Sequence, residues 1–158
     1  MRRDDIEAEL VEFVEAVKAE APSLEMITVF GSYNNGNWSP ARSDIDTAVL
    51  VGDEHYNLYR DLREAGGWSY AQKESLQREE LRLRVKARMS GAHKERFQMH
   101  LITPRMIPRL IGCNEGRGDF GRNILRGRLI YPEGIYLANK WRLIAADLDD
   151  LFKPKRRY

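Results

Sequence analysis

Two aspartates, Asp44 and Asp46, stand one residue apart in Ser43-Asp44-Ile45-Asp46. On an extended strand residues i and i+2 share a face, roughly 7 Å apart along the chain. The pair can therefore converge on one cation or on two close ones. Oxygen-only ligation of this kind suits Mg²⁺ or Mn²⁺, which commonly bridge carboxylates and a substrate's phosphates. Earlier in the chain, Gly31-Ser32 follows the apolar run Met26-Ile27-Thr28-Val29-Phe30. Gly31, lacking a Cβ, lets a phosphate approach the backbone. Ser32 offers a hydroxyl and an N–H, and a helix starting there would add its positive end. A phosphate seat beside a metal seat is what phosphoryl or nucleotidyl transfer requires, because the triphosphate must be positioned and its charge neutralised. Either half alone is commonplace. Joined, each at the end of a strand, they carry the functional reading.

Other groups could assist. Arg42 immediately precedes the motif and could help hold a triphosphate, as could Arg105, Arg117 and Arg122 with less force. Ser43 joins the nucleotide-binding set through its place in the motif. His55 and His93 stand in polar surroundings and read as solvated or structural. The single cysteine, Cys113, cannot form an internal disulfide and has no metal-ligand spacing around it.

The elements that must position these residues are legible from periodicity. Ile6, Leu10, Phe13, Val14 and Val17 recur at helical spacing after a possible cap at Asp4 or Asp5, with Glu7, Glu9, Glu12 and Glu15 largely off the stripe. Ala21-Pro22 ends that helix. A buried strand covers 26–30, a short helix and loop follow, and a second strand covers 45–51. A helix is expected over 54–65. A long charged helix begins at Tyr70 and runs to Met89, with Glu74–Arg78 and Glu80–Arg84 spaced for ion pairs. Its apolar residues divide between two nearly opposite faces, Leu76, Leu83 and Ala87 against Leu81, Val85 and Met89. Either both faces are covered by the fold or one meets a partner protein. A third strand over 96–103 places Phe97, Met99 and Leu101 on one side and Gln98 and His100 on the other. A short helix after Pro104, a loop over 112–118, a short helix from Asp119 to Leu125 and a brief apolar stretch at 129–131 precede the last helix. That helix carries Leu137, Trp141, Ile144, Leu148 and Leu151 on one face.

With those strands in place, the chain resembles the DNA polymerase β-type nucleotidyltransferase superfamily, and its minimal nucleotidyltransferase members in particular. Phe30-Gly31-Ser32, Gly36 and Ser43-Asp44-Ile45-Asp46 carry the resemblance, supported more weakly by the third strand and by Arg126-Gly127-Arg128-Leu129-Ile130-Tyr131. The resemblance implies an α/β (α+β) fold, with a small mixed β-sheet flanked by helices. The expected organisation is a single domain over 1–158 with a helical insertion at about 54–95. It also implies transfer of a nucleoside monophosphate from an NTP, ATP foremost, to a hydroxyl acceptor, which in some small members lies on a partner protein, with Asp44 and Asp46 holding Mg²⁺ (or Mn²⁺) and Gly31 and Ser32 seating the phosphates. Active members carry a third carboxylate on a later strand. Here that position falls on His100. A neutral imidazole is a poor Mg²⁺ ligand but can act as a general base near neutral pH.

Two further classes compete. A binding module that holds a nucleotide or a partner without turnover is favoured by the absent third acid and the two-faced helix. Nucleic-acid binding draws on the arginines between Lys73 and Arg96 and on the basic end from Lys153 to Arg157, and the intervening glutamates weaken it. The net charge of +2 is nearly balanced and argues for neither. No apolar run approaches the roughly 20 residues needed to span a bilayer. A cytoplasmic protein is the expectation.

Overall fold

The computed structural model describes residues 3–39, 43–52, 79–103, 110, 120–134 and 141–148. The helix expected over 54–65, the first part of the long charged helix, the segments 104–109 and 111–119, and residues Arg42, His55, Arg105, Cys113 and Arg117 lie outside them.

Helix α1 spans Arg3–Glu20, and its stripe of Ile6, Leu10, Phe13, Val14 and Val17 is buried. Asp4 and Asp5 lie within its first turn, so they complement the helix's positive end instead of capping it. Strand β1, Leu24–Phe30, begins two residues before the expected position, because Leu24 already pairs with Val51 ahead of a bulge. Helix α2, Gly31–Asn35, follows directly and stops at Gly36, whose left-handed backbone (φ 81°) suits glycine. Strand β2 is Ile45–Val51, as the apolar run predicts. Residues 79–88 form helix α3, a short 3₁₀ turn covers Lys94–Arg96, and β3 spans Phe97–Ile102. Helix α4 is Phe120–Leu125, β4 is Arg128–Tyr131, and residues 141–148 form helix α5.

The four strands form one mixed sheet in the order β3-β2-β1-β4. β1 runs antiparallel to both β2 and β4, while β2 and β3 are parallel. The alternation in β3 is as expected: Phe97, Met99 and Leu101 are buried, Gln98 is exposed and His100 half-buried. Phe13 of α1 stacks on Phe97 at 5.3 Å between ring centroids, so α1 covers that face. On the opposite face Phe120 of α4 meets Phe30 and His100.

Helix α3 resolves its two-faced pattern within the described residues. Leu81, Val85 and Met89 are buried, whereas Leu83 is 57% exposed. Arg84 and Arg88 both reach Glu20 of α1, at 3.3 and 2.6 Å, which lays α3 beside α1. Arg84 thus pairs across helices, not with Glu80 as the spacing suggests. Glu9 departs from expectation too. It is only 8% exposed, because the turn after α3 covers it. His93 donates its backbone N–H to Glu9 and sets its ring Nδ1 2.7 Å from Glu9 Oε1, which is the structural role expected for that histidine. Gly91 makes this approach possible, since a Cβ there would lie 2.5 Å from the Glu9 side chain. In α5, Trp141 and Ala145 take the buried positions and Ile144 is 44% exposed. The i, i+4 pair outweighs the i+3 position that hydropathy favours.

The burial of α3 sets a test. Leu81→Ala should cost about 2–5 kcal/mol of unfolding free energy. Leu83→Ala should change it by less than about 0.5 kcal/mol. Urea unfolding of the two variants measures the contrast, and equal losses would contradict the assigned face.

Candidate functional site

The antiparallel register of β1 and β2 builds the site. Phe30, the last residue of β1, pairs with Asp46 near the start of β2. The chain then turns into α2 at Gly31, so the Gly31-Ser32 turn and the Asp44-Ile45-Asp46 segment meet at one rim of the sheet. The approach is tight. Gly31 has φ 74°, and a Cβ at that residue would lie 2.7 Å from Asp46 Oδ2. Only glycine both tolerates that backbone and leaves room for the carboxylate. α2 has five residues, too few for its dipole to count for much. Any phosphate seat therefore rests on backbone N–H groups and the Ser32 hydroxyl, which has no hydrogen-bond partner among the described residues.

Parallel pairing brings β3 alongside. Asp46 pairs with Gln98 and Ala48 with His100. The Gln98 amide donates to Asp44 Oδ2 at 2.8 Å and fixes that carboxylate. His100 Nε2 lies 3.6 Å from Asp46 Oδ1, beside the acid but beyond hydrogen-bond length. Its ring is flanked by Phe30 at 5.5 Å and Phe120 at 5.1 Å, and these two rings stand 5.8 Å apart. The imidazole is thus held between aromatic walls with one edge towards Asp46. Gln98 and Phe120 carried no functional reading in the sequence. Gln98 shares the His100 side of β3 by alternation, and that was the one signal for it; Phe120 reaches the site only through the packing of α4.

Ser43 ties the loop between α2 and β2. Its hydroxyl accepts the Ser39 N–H at 3.1 Å, its own N–H donates to Ser39 O at 2.9 Å, and its carbonyl accepts the Trp38 indole N–H at 3.1 Å. Its side chain is engaged in setting where Asp44 begins. Arg122 sits half-buried in α4.

α2 is anchored from behind. The Tyr33 hydroxyl donates to Glu7 Oε1 at 2.8 Å, and Arg128 Nη2 donates to the same oxygen at 2.8 Å. Arg3 lies 5.1 Å over the Tyr33 ring and donates to the Tyr33 carbonyl at 3.3 Å. Burial alone would raise the Glu7 carboxyl, but hydrogen bonds from Arg128 and Tyr33 and the charges of Arg128 and Arg3 outweigh it, leaving the group below the usual carboxylate range. Tyr33 is pushed up to about 12, by burial first and then by its bond to Glu7 and that group's charge.

The residues also bear on which cation they could take. Among the described residues no three His, Cys, Asp or Glu side chains gather into a metal-holding group. Two neighbouring carboxylates fit a Mg²⁺ or Mn²⁺ ion that arrives on a nucleotide's phosphates and takes its remaining ligands from them and from water.

Two measurements check this geometry. Gly31→Ala forces a Cβ against Asp46 at a positive φ, so it should destabilise the protein by about 1–3 kcal/mol. Thermal unfolding reads that loss, and an unchanged midpoint would refute the contact. The folded-state value of Tyr33 lies above its ordinary value near 10, so its contribution to stability is full below about pH 10 and declines as pH rises towards 12. Tyr33→Phe should flatten the fall in stability over that alkaline window, which chemical denaturation at stepped pH will reveal.

No curated protein matches the chain. Among solved structures, a nucleotidyltransferase candidate from Sulfolobus solfataricus is similar at 19% identity, with 69% of this chain and 82% of that one covered and a TM-score of 0.37. Over residues 10–103 the sequence matches the family of nucleotidyltransferase domains. That match takes in the Gly31-Ser32 turn, both aspartates and His100 and runs over more than half the sequence, so the chain belongs to the nucleotidyltransferase domain family.

Proposed function

We propose that the protein is a metal-dependent nucleotidyltransferase that moves a nucleoside monophosphate from an NTP, ATP foremost, to a hydroxyl acceptor. The observation that supports this reading is the contact of the Gly31 turn with the Asp46 carboxylate, which makes a phosphate seat and an acid pair neighbours at one rim. In the reaction the acceptor oxygen forms a bond to the α-phosphorus, the bond from that phosphorus to the β-phosphate oxygen breaks, and pyrophosphate leaves. Ser32 donates its hydroxyl and backbone N–H to the phosphates, and Gly31 lets them approach. Asp44, steadied by Gln98, and Asp46 would hold the divalent ion, which when bound neutralises phosphate charge. His100, 3.6 Å from Asp46, is the group that takes the acceptor's proton in this proposal. Arg42 belongs to this proposal as a triphosphate contact, and Ser43 as the residue that sets the loop.

One observation favours a second reading. His100 stands where the family resemblance expects a third acid. A chain that binds an NTP but transfers it poorly, acting through a partner protein, would follow if that imidazole cannot replace the carboxylate.

Labelled NTPs, offered in Mg²⁺ and then in Mn²⁺, separate the readings. Pyrophosphate release by the native chain and a loss of about 100-fold or more in Asp46→Ala are expected for the transferase. Tight NTP binding with no release in either metal would establish the non-catalytic module.

A further inference from the structure

The two acids are not free at every oxygen. Asp44 Oδ2 accepts the Gln98 side-chain amide at 2.8 Å. Asp46 Oδ2 is pressed against Gly31, where a Cβ would lie 2.7 Å from it. Each carboxylate thus has one oxygen engaged by the protein. Asp44 Oδ1 has no hydrogen-bond partner among the described residues, and Asp46 Oδ1 lies 3.6 Å from His100 Nε2.

Gln98 is itself anchored. Its backbone carbonyl accepts the hydroxyl of Thr47 at 2.8 Å, and Thr47 is wholly buried. Its Cα pairs with that of Asp46 in the parallel register of β2 and β3. The amide that reaches Asp44 therefore springs from the residue opposite the second acid, and one residue of β3 sets the first acid relative to the other. The chemistry of the donor matters as well. A lysine or arginine could also hold Asp44, but its positive charge would oppose a cation. The neutral amide donates its hydrogen bond without that repulsion.

Divalent cations differ in what they ask of a carboxylate. Mg²⁺ takes about six ligands in a near-ideal octahedron, at roughly 2.0–2.1 Å. Ca²⁺ takes about six to eight at roughly 2.3–2.6 Å, often with both oxygens of one carboxylate. An acid that keeps one oxygen on Gln98 or against Gly31 has a single oxygen to offer. We infer that Gln98 is a positioning residue that makes the acid pair selective for Mg²⁺ over Ca²⁺, by holding Asp44 to single-oxygen ligation. This selectivity rests on the function proposed above, in which Asp44 and Asp46 are the cation's ligands.

A fluorescent, non-hydrolysable ATP analogue tests it by anisotropy, bound once in saturating Mg²⁺ and once in saturating Ca²⁺. The ratio of the two affinities is the readout, and it needs no turnover. The native chain should prefer the Mg²⁺ complex. Gln98→Ala should lower that preference several-fold, because Asp44 is then free to turn both oxygens to Ca²⁺. Gln98→Glu keeps the shape of the side chain but replaces the donor with a second carboxylate beside Asp44, and it should lower the preference further. Gln98 is exposed on β3, so both variants should keep the native circular dichroism spectrum. A native chain without preference, or a ratio unchanged in both variants, overturns the inference. An equal fall in both affinities overturns it too, because a merely structural role would produce that result. In each of those cases, loss of analogue binding in Asp44→Ala leaves the proposed cation seat standing. If Asp44→Ala binds the analogue as the native chain does, the seat fails and the selectivity fails with it. A Gln98-dependent preference for Mg²⁺ in a chain that releases no pyrophosphate from any NTP refutes the transferase and keeps the selectivity.

Discussion

The site depends on one close approach, that of the Asp46 carboxylate to the Cα of Gly31. A side chain at position 31 would collide with Asp46 Oδ2. The approach follows from antiparallel pairing, because Phe30 and Asp46 are cross-strand partners and the next residue must turn away at once. The positive φ at Gly31 performs that turn. Backbone conformation and site electrostatics are therefore set by the same residue, and neither could be altered without the other.

The rest of the molecule can be understood as support for that rim. β1 and β2 are the central strands, paired on both edges, and Ile27, Val29, Ile45, Val49 and Leu50 are entirely buried or nearly so. α1 and α3 close one face, tied by Glu20 to Arg84 and Arg88 and by Glu9 to His93. α2 is too short to be stable by itself. It is held by Tyr33, which inserts between Glu7, Arg3 and Trp38. Each tie joins an element near the rim to the core, which limits the freedom of Ser32 and Asp46 relative to one another.

β3 contributes differently. Being parallel to β2, it presents Gln98 and His100 to the two acids in order, the amide to Asp44 and the imidazole to Asp46. A carboxylate at position 100 would stand beside Asp46 and repel it unless a cation lay between them. The imidazole carries no such requirement, so the acid pair can be held in place by the protein alone. No described helix is long and apolar enough to cross a membrane.

The amino-acid sequence by itself determined the local pieces. The 3.6-residue stripe of α1, the β-branched run of β2 and the alternation of Phe97 to Leu101 each follow from which neighbours must share a buried face, and they appear where the pattern puts them. The pairing of Gly31-Ser32 with Asp44 and Asp46 was legible because both lie at strand ends and their residue types have few other reasons to occur together. What only the tertiary structure decided is which groups from distant segments meet. Glu9 is buried because a turn more than eighty residues away covers it. Gln98 engages Asp44, Phe120 walls His100, and Arg84 selects Glu20 over a neighbour on its own helix, all through strand order and helix packing. Periodicity reports the face on which a side chain lies, but it carries no information about what is packed against that face. That depends on the sheet's order and register, and long-range pairing fixes both.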